Sequence, residues 1–396
     1  MTEVPIARTR RTFRVAILVE WSRAYGRGLI DGIARFAREH EHWSLDFEPR
    51  GFEAPPPWLD DWQGDGILVR LPSHALAERV VAKRVPLVDL FGTCSDSGLP
   101  HVAGDNAQVA QMAFDHLCEQ GFRQFAYCGL QPGVNRYIDE RGERFRQFVA
   151  AAGYPFHSFA SLVVGTTVPN WEREHQLKAA WLRELPKPVG ILACYDEPGC
   201  HLLNACRRAG LRVPEDVAVV SVGNDAVLCE MTRPTLSSVE HDAPLIGYQA
   251  AAWLERLMQG KRAPRQPLRV APRGLVARRS SDMLVADDPD LTRALEYIRA
   301  HAFEGIGVGD VVRHAAVSQS VLERKFRVFL GRTPKAELLR LQMARAKELL
   351  GESELPLKEI AARCGFSGEK YFSDAFTRQC GLRPAAYRRA RRPRLG

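Results

Sequence analysis

The feature that most constrains this chain is an alternation of two patterns. From Phe13 to about Val276, short apolar runs rich in β-branched residues alternate with amphipathic helical stretches. Strands separated by helices indicate βαβ units with right-handed crossovers. From Leu291 onward the strands stop and only helical periodicity remains. The sequence therefore predicts an α/β body followed by an all-helical domain.

The predicted elements can be placed along the chain. In the body we expect strands at 13–19, 66–69, 86–90, 124–128, 161–164, 190–194, 217–222 and 268–276. We expect helices there at 27–39, 75–83, 106–120, 138–152, 172–184, 199–210 and 245–258. The later helices are predicted at 291–301, 308–314, 321–329, 335–350, 357–363, 371–378 and 384–391.

The body is long for a single open sheet, so we expect two lobes. The predicted division is a tail (1–12), a sensor-like body (13–280), a linker (281–290) and a helical domain (291–392). Within the body, one lobe is predicted from 13–121 with 240–260, and the other from 122–239 with 262–280. The lobes would hinge near Gln120, Val239 and Lys261.

The net positive charge of the chain comes almost entirely from the helical domain. Residues 1–286 contain 34 basic and 33 acidic side chains, a net charge of +1, whereas residues 287–396 contain 21 and 14, a net charge of +7. Basic side chains near phosphates release condensed counterions, so a basic block on a near-neutral body fits a polyanion partner. A well-solvated surface is the alternative.

Several function classes are excluded by what the sequence lacks. The nine cysteines are an odd number with no C-x-x-C pair, which argues for reduced thiols and against a zinc site. The apolar run from Val15 to Val19 is too short for a signal peptide or a membrane span. There is no phosphate-binding P-loop, and Gly26-x-Gly28 lacks the dinucleotide spacing. We therefore expect a soluble, cytoplasmic, non-enzymatic protein without metal or cofactor, although a sugar-modifying enzyme remains the minor alternative.

Two similar segments in the helical domain, 308–329 and 357–378, carry the predicted DNA-binding function. Each has a short helix, a tight turn, a hydrophobic residue and then a serine, Ser318 or Ser367, in an N-cap position before a second helix. This is the helix-turn-helix pattern, whose second helix enters the major groove. The helix predicted at 335–350 would be a rigid spacer between two readers of double-stranded promoter DNA. A helical protein-interaction domain is the alternative.

The motif Ser367-x-x-x-Tyr371-Phe372-Ser373-x-x-Phe376, followed by Gly381-x-x-Pro384-x-x-Tyr387-Arg388, resembles the signature of AraC/XylS-type transcription regulators. The resemblance implies DNA-reading positions on both second helices: Ser320, Glu323, Arg324, Glu369, Lys370 and Ser373. Aromatic side chains at helical intervals are assigned to the core, namely Phe326, Phe366, Phe372, Phe376 and Tyr387.

Two residues depart from this family pattern. Ala316 stands where the first turn usually has glycine, and a left-handed conformation there would cost about 1 kcal/mol. Asp374 stands where the family often has a basic residue or serine. It could accept a hydrogen bond from a cytosine amino group, face solvent, or pair with Arg378.

The body resembles the effector domain of LacI/GalR-type repressors, which is similar to periplasmic sugar-binding proteins. The matching stretches are Val102–Asn106, Ile191–Asp196, Val217–Asp225, Pro234–Val239 and Gly274–Ser280. The implied fold is a two-lobed periplasmic-binding-protein-like (type I) α/β domain, joined here to a C-terminal reader. This combination is similar to sugar-responsive activators of pentose catabolism genes. The resemblance implies D-xylose as the effector, RNA polymerase as a partner and a homodimer.

The residues themselves also favour a sugar site. Sugars present hydroxyls to carboxylates, amides and guanidinium groups, and apolar C–H faces to aromatic rings. Ligands in such sheets bind beyond the carboxyl ends of the strands. The candidates at those ends are Glu20, Trp21, Tyr25, Tyr195, Asp196, Asn224 and Asp225, together with Arg141, which matches the effector-contacting arginine of LacI-type domains.

Each candidate has a structural alternative. Asp196 and Asp225 could only cap the helices that follow their strands. Arg141 could form a surface ion pair with Glu140 or Glu143. Trp21 could belong to the interface between the lobes, and we expect Asp105 and Asn106 to be turn and capping residues near the site.

Overall fold

The computed structural model describes residues 11–49, 56–71, 74–92, 98–161, 171–262, 266–282, 288–330 and 332–391. The chain folds into two compact units. The first contains the chain up to Leu117 and residues 122–281, and the second contains 118–121 and the chain from Asp282 onward. The predicted tail, except residues 11 and 12, and linker residues 283–287 lie outside the described part.

The first unit alternates strands and helices as the sequence predicts. Its strands are β1 (Phe13–Leu18), β2 (Trp43–Phe47), β3 (Gly66–Val69), β4 (Leu87–Asp89), β5 (Val102–Gly104), β6 (Phe125–Leu130), β7 (Phe156–Ser161), β8 (Val189–Ala193), β9 (Val217–Val222), β10 (Ser237–Glu240), β11 (Leu268–Val270) and β12 (Gly274–Val276). Its helices are α1 (Ala24–His40), α2 (His74–Val81), α3 (Asn106–Glu119), α4 (Arg136–Ala151), α5 (Trp171–Glu184), α6 (Asp196–Ala209), α7 (Ala226–Met231) and α8 (Ala243–Met258). A short 3-10 helix covers Pro57–Leu59.

Two sheets form the two lobes of this unit. The first has the order β2-β1-β3-β4 with all strands parallel. The second has the order β12-β10-β9-β8-β6-β7 and is parallel except for β12. The central strands β1, β3, β6, β8 and β9 are almost entirely buried, as expected for parallel strands covered by helices on both faces.

The chain crosses between the lobes at places other than those predicted. Helix α3 packs on the second sheet, where the ring centroid of Phe114 lies 5.2 Å from that of Phe125. Strand β11 pairs with β5, which a bridge at Asp89 and His101 joins to β4 of the first lobe. The crossings therefore fall before α3, between β10 and α8, and between β11 and β12.

The predicted lobe limits and hinges need a corresponding correction. The prediction places residues 106–117 and 268–270 in the wrong lobes, and residues 118–121 belong to the second unit. The hinges expected near Gln120 and Lys261 are wrong, whereas that near Val239 is close to a crossing. The reason is physical: helical periodicity identifies a helix and its buried face, but does not reveal which of two sheets covers that face.

A few strands also differ from the prediction. Strand β2 was missed because its burial is only partial. The strand predicted at 161–164 lies earlier, at Phe156–Ser161, and residues 162–164 are outside the described part. The strand predicted at 268–276 is divided into β11 and β12, and the short strands β5 and β10 and helix α7 were not predicted as elements.

The described part of the second unit is helical from residue 289 onward. Its helices are α9 (Pro289–His301), α10 (Val308–Ala315), α11 (Gln319–Leu330), α12 (Pro334–Glu352), α13 (Leu357–Arg363), α14 (Glu369–Cys380) and α15 (Pro384–Arg391). Helix α12 joins two cores, because it contributes Leu338 to that of α9–α11 and Met343 and Leu350 to that of α13–α15. Because α12 belongs to both cores, it can fix the position of one helix-turn-helix motif relative to the other.

Two properties concern only the described residues. Among their helices, none combines the length and the apolarity needed to span a membrane. Within the same part of the chain, no group of three or more His, Cys, Asp and Glu side chains could hold a metal ion.

Candidate functional site

A cleft opens between the two lobes of the first unit, beyond the carboxyl ends of the central strands. Its empty volume is about 1010 Å³, including the part open to solvent. Ligands in open α/β sheets bind at such an edge. Six of the eight predicted ligand residues are in or directly behind its wall: Glu20, Tyr25, Arg141, Tyr195, Asp196 and Asp225.

Arg141 is a cationic side chain in the cleft wall with three hydrogen-bonding partners. It is buried, and it donates from Nε to Asn106 Oδ1 at 3.0 Å, from Nη1 to the Cys194 carbonyl, and from Nη2 to His241 Nε2 at 3.2 Å. The predicted alternative, a surface ion pair with a neighbouring glutamate, is therefore wrong. The guanidinium is held by two groups of its own lobe, Asn106 and Cys194, and by His241 at a crossing between the lobes.

Tyr25 brings a hydroxyl that nothing in the described chain satisfies. Its oxygen is buried and has no hydrogen-bond partner among the described residues. Burial, with Tyr137 nearby, raises the pKa of Tyr25 well above its usual value, so the group stays a neutral donor. Because buried polar groups are nearly always paired, an orphan hydroxyl in a cleft is a site where a ligand can bind.

Glu20 lies behind the cleft wall and is paired with Arg70, which lines the cleft and was not predicted from the sequence. The two side chains form a buried ion pair, and the other carboxylate oxygen of Glu20 is buried without a partner among the described residues. The Arg70 guanidinium lies 4.0 Å from the centroid of the Phe91 ring and 5.2 Å from that of Tyr25. Arg70 directly follows β3, so the strand-end rule that found Tyr195 and Asp196 could also have found it.

Neither Asp196 nor Asp225 caps a helix with its side chain, so the capping alternative is wrong for both. The Asp196 carboxylate accepts hydrogen bonds from Ser221 Oγ at 2.6 Å, Ser238 Oγ at 2.7 Å and the Asp225 amide at 2.8 Å. Burial raises the pKa of Asp196, while these donors oppose the shift. Asp225 occupies the N-cap of α7, but its side chain makes no capping bond. Asp196 thus braces the loop that presents Asp225 to the cleft.

Charged groups bridge the mouth of the cleft from lobe to lobe. Arg23 lies before α1, and its Nε is 3.0 Å from Glu197 Oε1 on α6, while its guanidinium carbon is 5.0 Å from the Tyr195 ring centroid. The amide of Ala24 donates to Asp225 Oδ2 at 3.2 Å. We call these five residues the mouth latch. Arg23 and Glu197 were missed because neither stands in a predicted strand-end motif.

Two predicted positions do not line the cleft. Trp21 stacks on Phe47, with ring centroids 5.6 Å apart, and is not among the lining residues. Asn224 donates to Glu240 at 2.9 Å and accepts from Arg278 at 2.9 Å. Its left-handed backbone (φ 53°) turns the side chain toward β10, away from the cleft.

The expectation for Asp105 is confirmed, whereas the side chain of Asn106 is buried and bridges to α4 rather than capping a helix. Asp105 accepts from the amides of Ala107 and Gln108 at the start of α3. Asn106 donates to the Tyr137 carbonyl at 2.8 Å and holds Arg141 through its own oxygen. His241 and Tyr137 also line the cleft, although sequence reasoning singled out neither.

The second unit contains both predicted helix-turn-helix motifs, α10–α11 and α13–α14. Ser318 precedes α11, and its Oγ accepts from the Val321 amide at 3.4 Å. Ser367 does not cap α14, because the N-cap is Gly368. The turns contain Ala316 at φ 57° and Gly365 at φ 77°, so the left-handed alanine expected from the sequence is present.

The predicted DNA-reading side chains point away from the cores. Ser320, Arg324, Glu369 and Lys370 are exposed, and Glu323 and Ser373 are partly exposed. Glu323 is held by Gln319 at 3.0 Å, whereas Arg324 has no hydrogen-bond or ion-pair partner among the described side chains. Asp374 is exposed and forms no ion pair with Arg378 within the described part. The aromatic residues assigned to the core are packed there.

Comparison with known proteins agrees with both units. Residues 114–281 match the model of a periplasmic binding protein-like domain, and residues 311–390 match that of a helix-turn-helix domain. The xylose operon regulatory protein of Haemophilus influenzae is 30% identical, over 96% of this chain and 99% of its own. This chain belongs to the family of xylose operon regulatory proteins. The protein of the same name from Escherichia coli K12 is 32% identical over 95% of this chain and 96% of its own.

The family assignment extends to solved structures. A structure of the xylose-binding transcription activator XylR has a TM-score of 0.62 and 30% identity, covering 96% of this chain and 99% of that one. A CelR–cellobiose complex shares the fold of the first two-thirds, with a TM-score of 0.53 and 24% identity over 68% of this chain and 85% of that one. Members of the family are transcription regulators, so this chain is a sugar-responsive, DNA-binding regulator and not an enzyme.

Proposed function

We propose that this chain activates transcription in response to D-xylose, which binds in the cleft and thereby changes how the two helix-turn-helix motifs bind promoter DNA. One observation carries the proposal. The cleft wall combines unpartnered buried polar atoms with aromatic rings, in a chain that also presents two outward-facing recognition helices.

The chemistry of the cleft suits a small uncharged sugar. Glu20 neutralises Arg70, and Glu197 lies beside Arg23, so the wall offers directional donors and acceptors with little net charge. The ring of Phe91 provides an apolar face, and the centroid of the Tyr137 ring lies 4.8 Å from that of the Phe91 ring. Sugar hydroxyls require such polar partners, and sugar C–H faces require such rings. Tyr25, Arg70, Arg141 and Asp225 are the proposed hydroxyl contacts.

Binding between two lobes couples occupancy to closure. A ligand that contacts both walls interacts fully only with the closed form, and therefore shifts the population toward it. The mouth latch also forms only when the lobes are close, so sugar and latch favour the same state. To regulate transcription, the closed state must bind the promoter differently, by a coupling free energy of about 1 to 3 kcal/mol.

The choice of sugar rests on the relatives. The two curated relatives that cover nearly the whole chain are named for the xylose operon, and XylR is described as xylose-binding. We extend that effector to this protein. We likewise propose that it acts as a homodimer in the cytoplasm, where paired DNA-binding units read repeated half-sites, and that it contacts RNA polymerase as an activator.

Calorimetry with a panel of aldopentoses and aldohexoses tests the proposal, combined with the affinity for DNA from the chain's own promoter region. We expect D-xylose to bind most tightly, to raise the melting temperature, and to change DNA affinity by about 5-fold to 150-fold. Absence of heat and of any melting shift with every sugar would instead indicate a constitutive DNA-binding protein whose body only dimerises.

A further inference from the structure

The first turn of α9 is joined to the first recognition helix by a three-residue ion cluster. Lys325 Nζ on α11 lies 2.7 Å from Asp288 Oδ1 and 2.6 Å from Asp290 Oδ2. Asp288 is also the N-cap of α9, accepting from the amides of Asp290 and Leu291. The hydrogen bonds to Asp288 and Asp290 raise the pKa of Lys325, so its charge persists at neutral pH.

The position of Lys325 in its helix is unusual for a lysine. Helices α11 and α14 are both 12 residues long and begin 50 positions apart. The buried residues Leu322 and Phe326 of α11 correspond to Phe372 and Phe376 of α14. On the same alignment Lys325 corresponds to Ala375, which is buried and apolar. A charge on a core-facing position is tolerated only with partners, and here the partners are on α9.

The same turn of α9 also holds the first helix of the motif. Asp290 Oδ1 lies 2.5 Å from Arg293 Nη2, which donates to the Ala315 carbonyl at 3.1 Å. Ala315 is the last residue of α10, directly before the left-handed turn at Ala316. One turn of α9 therefore contacts both helices of the first DNA-reading motif through charged groups.

This turn is where the chain enters the DNA-binding unit. Ser281, the last residue of the first unit, is buried and bonded to Ser237 Oγ at 2.8 Å and to His116 at 2.7 Å. Only residues 282–287 separate it from Asp288. A displacement that passes along the chain from Ser281 therefore reaches α9 at Asp288, and Asp288 is bonded to the recognition helix.

We propose that Lys325 is a positioning residue that couples effector binding to DNA reading. It fixes α11 to the end of the linker, so that a change in the sensor unit alters the placement of Arg324, its neighbour on the outward face, without Lys325 itself contacting DNA. The inference rests on the proposed function, because it assumes that the sugar changes DNA affinity.

The test measures promoter-DNA affinity with and without saturating D-xylose for the full chain and for Lys325→Met, at several salt concentrations. In Lys325→Met we expect the DNA affinities measured with and without D-xylose to become nearly equal, so that their ratio falls toward 1. If D-xylose changes the wild-type affinity by the typical factor of about five or more, the ratio falls by at least that factor. The D-xylose affinity of the DNA-free protein should be unchanged, because Lys325 lies outside the cleft. The salt dependence of DNA binding should also be unchanged, since no phosphate contact is lost. Lys325→Arg keeps the positive charge and should have the wild-type ratio.

Lys347→Met is the matched control, because it removes an exposed positive charge from α12. It should also have the wild-type ratio.

Three results would overturn the inference. Equal weakening of DNA binding in both states would indicate a purely structural role, and a salt slope reduced by about one with the ratio kept would indicate a phosphate contact. Retention of the full ratio in the milder variant Asp290→Asn and in Lys325→Met would show that the cluster carries no coupling. If the DNA affinity of the wild type does not respond to D-xylose, both the proposed function and this inference are wrong. If the wild type responds and the variants respond equally, only this inference is wrong.

Discussion

Arg23 Nε and Glu197 Oε1 lie 3.0 Å apart across the mouth of the cleft, one before the first helix of the first lobe and the other on a helix of the second. Both side chains are about one quarter to one third exposed (22% and 33%). The pair can form only when the two lobes approach each other, so its formation is linked directly to closure of the cleft.

Arg23→Met should weaken D-xylose binding about fivefold, because a partly exposed ion pair contributes at most about 1 kcal/mol to closure. Isothermal calorimetry measures the change. Arg146→Met is the matched control, since it breaks an ion pair of 2.7 Å with Glu143 that lies within α4 and does not cross the cleft. Equal affinities in the two variants would remove Arg23 from the closure mechanism.

Tyr25→Phe should act in opposite directions on stability and on binding. Removing a buried hydroxyl without a partner should stabilise the sugar-free protein by about 1 kcal/mol or more. The reason is that folding no longer removes this hydroxyl from water without replacing its hydrogen bonds. The same change should weaken D-xylose binding about tenfold, if the hydroxyl bonds the sugar. Urea unfolding and calorimetry give the two values.

Tyr127→Phe provides the contrast to Tyr25→Phe. The Tyr127 hydroxyl donates to the Ile138 carbonyl at 2.9 Å, and its residue does not line the cleft. This variant should lose stability by about 1 kcal/mol and keep its sugar affinity. A Tyr25→Phe variant that binds D-xylose as tightly as the wild type would contradict the proposed contact.

Arg324→Ala should weaken specific DNA binding by about 1 to 3 kcal/mol and relax the preference at one base pair. The expectation follows from its exposed position on α11 and from the absence of a partner among the described side chains. Selection of binding sites from a random pool measures the preference. Arg363→Ala, which breaks an ion pair of 2.7 Å with Glu359 on α13, should leave the selected sequence unchanged.

Ala316→Gly should stabilise the DNA-binding unit by up to about 1 kcal/mol, because glycine adopts φ 57° without the steric cost of a Cβ atom. Scanning calorimetry of the full chain can resolve the effect. All seven tryptophans lie before residue 254, so tryptophan fluorescence identifies the transition of the first unit, which should not move. A lower melting temperature for the second unit would show that Ala316 is not strained.

His201 should lower the stability of the first unit as the pH falls from about 7 to 4, while Asp89, whose pKa burial raises to about 6, acts in the opposite direction. Burial, with Lys178 and His175 nearby, lowers the pKa of His201 to about 4, and burial also lowers that of His175. An unfolded histidine titrates near 6.5, so below that pH the unfolded chain binds protons that the folded unit excludes. The loss from His201 at pH 5.5 is about 1 kcal/mol.

Urea unfolding followed by tryptophan fluorescence at pH 5.5 and 7.5, in the wild type and in His201→Asn, isolates this loss. His201→Asn cannot take up the proton, so between pH 7.5 and pH 5.5 its free energy of unfolding should rise relative to that of the wild type by about 1 kcal/mol. The same pH dependence in both proteins would exclude His201 as a source.

Much of the architecture was predictable because it depends on local patterns. The apolar runs of β1, β3, β8 and β9 and the periodicity of the later helices follow from burial alone, and serine before α11 follows from the need to satisfy amide groups. The strand-end rule found Tyr25, Tyr195, Asp196 and Asp225 because every parallel βα unit places its carboxyl end on the same edge.

The remainder depended on which elements meet. Periodicity places the apolar face of α3, but only the assembled fold shows that it covers the second sheet. Trp21 and Asn224 stand at strand ends as Tyr25 does, yet local backbone direction sends their side chains elsewhere, while Arg23, Arg70 and Glu197 enter the cleft. Lys325 follows the predicted DNA-reading residue Arg324 in sequence, but its two carboxylate partners lie 35 and 37 positions away.

By itself, then, the order of residues determined the two kinds of unit, the groove-reading helices and the edge at which a ligand binds, since each is set by neighbours within a few turns of chain. The tertiary structure alone decided which side chains face one another across the cleft and which charge is already neutralised. Those relationships join residues remote in sequence, and their energies depend on distance and burial, which exist only once the chain is folded.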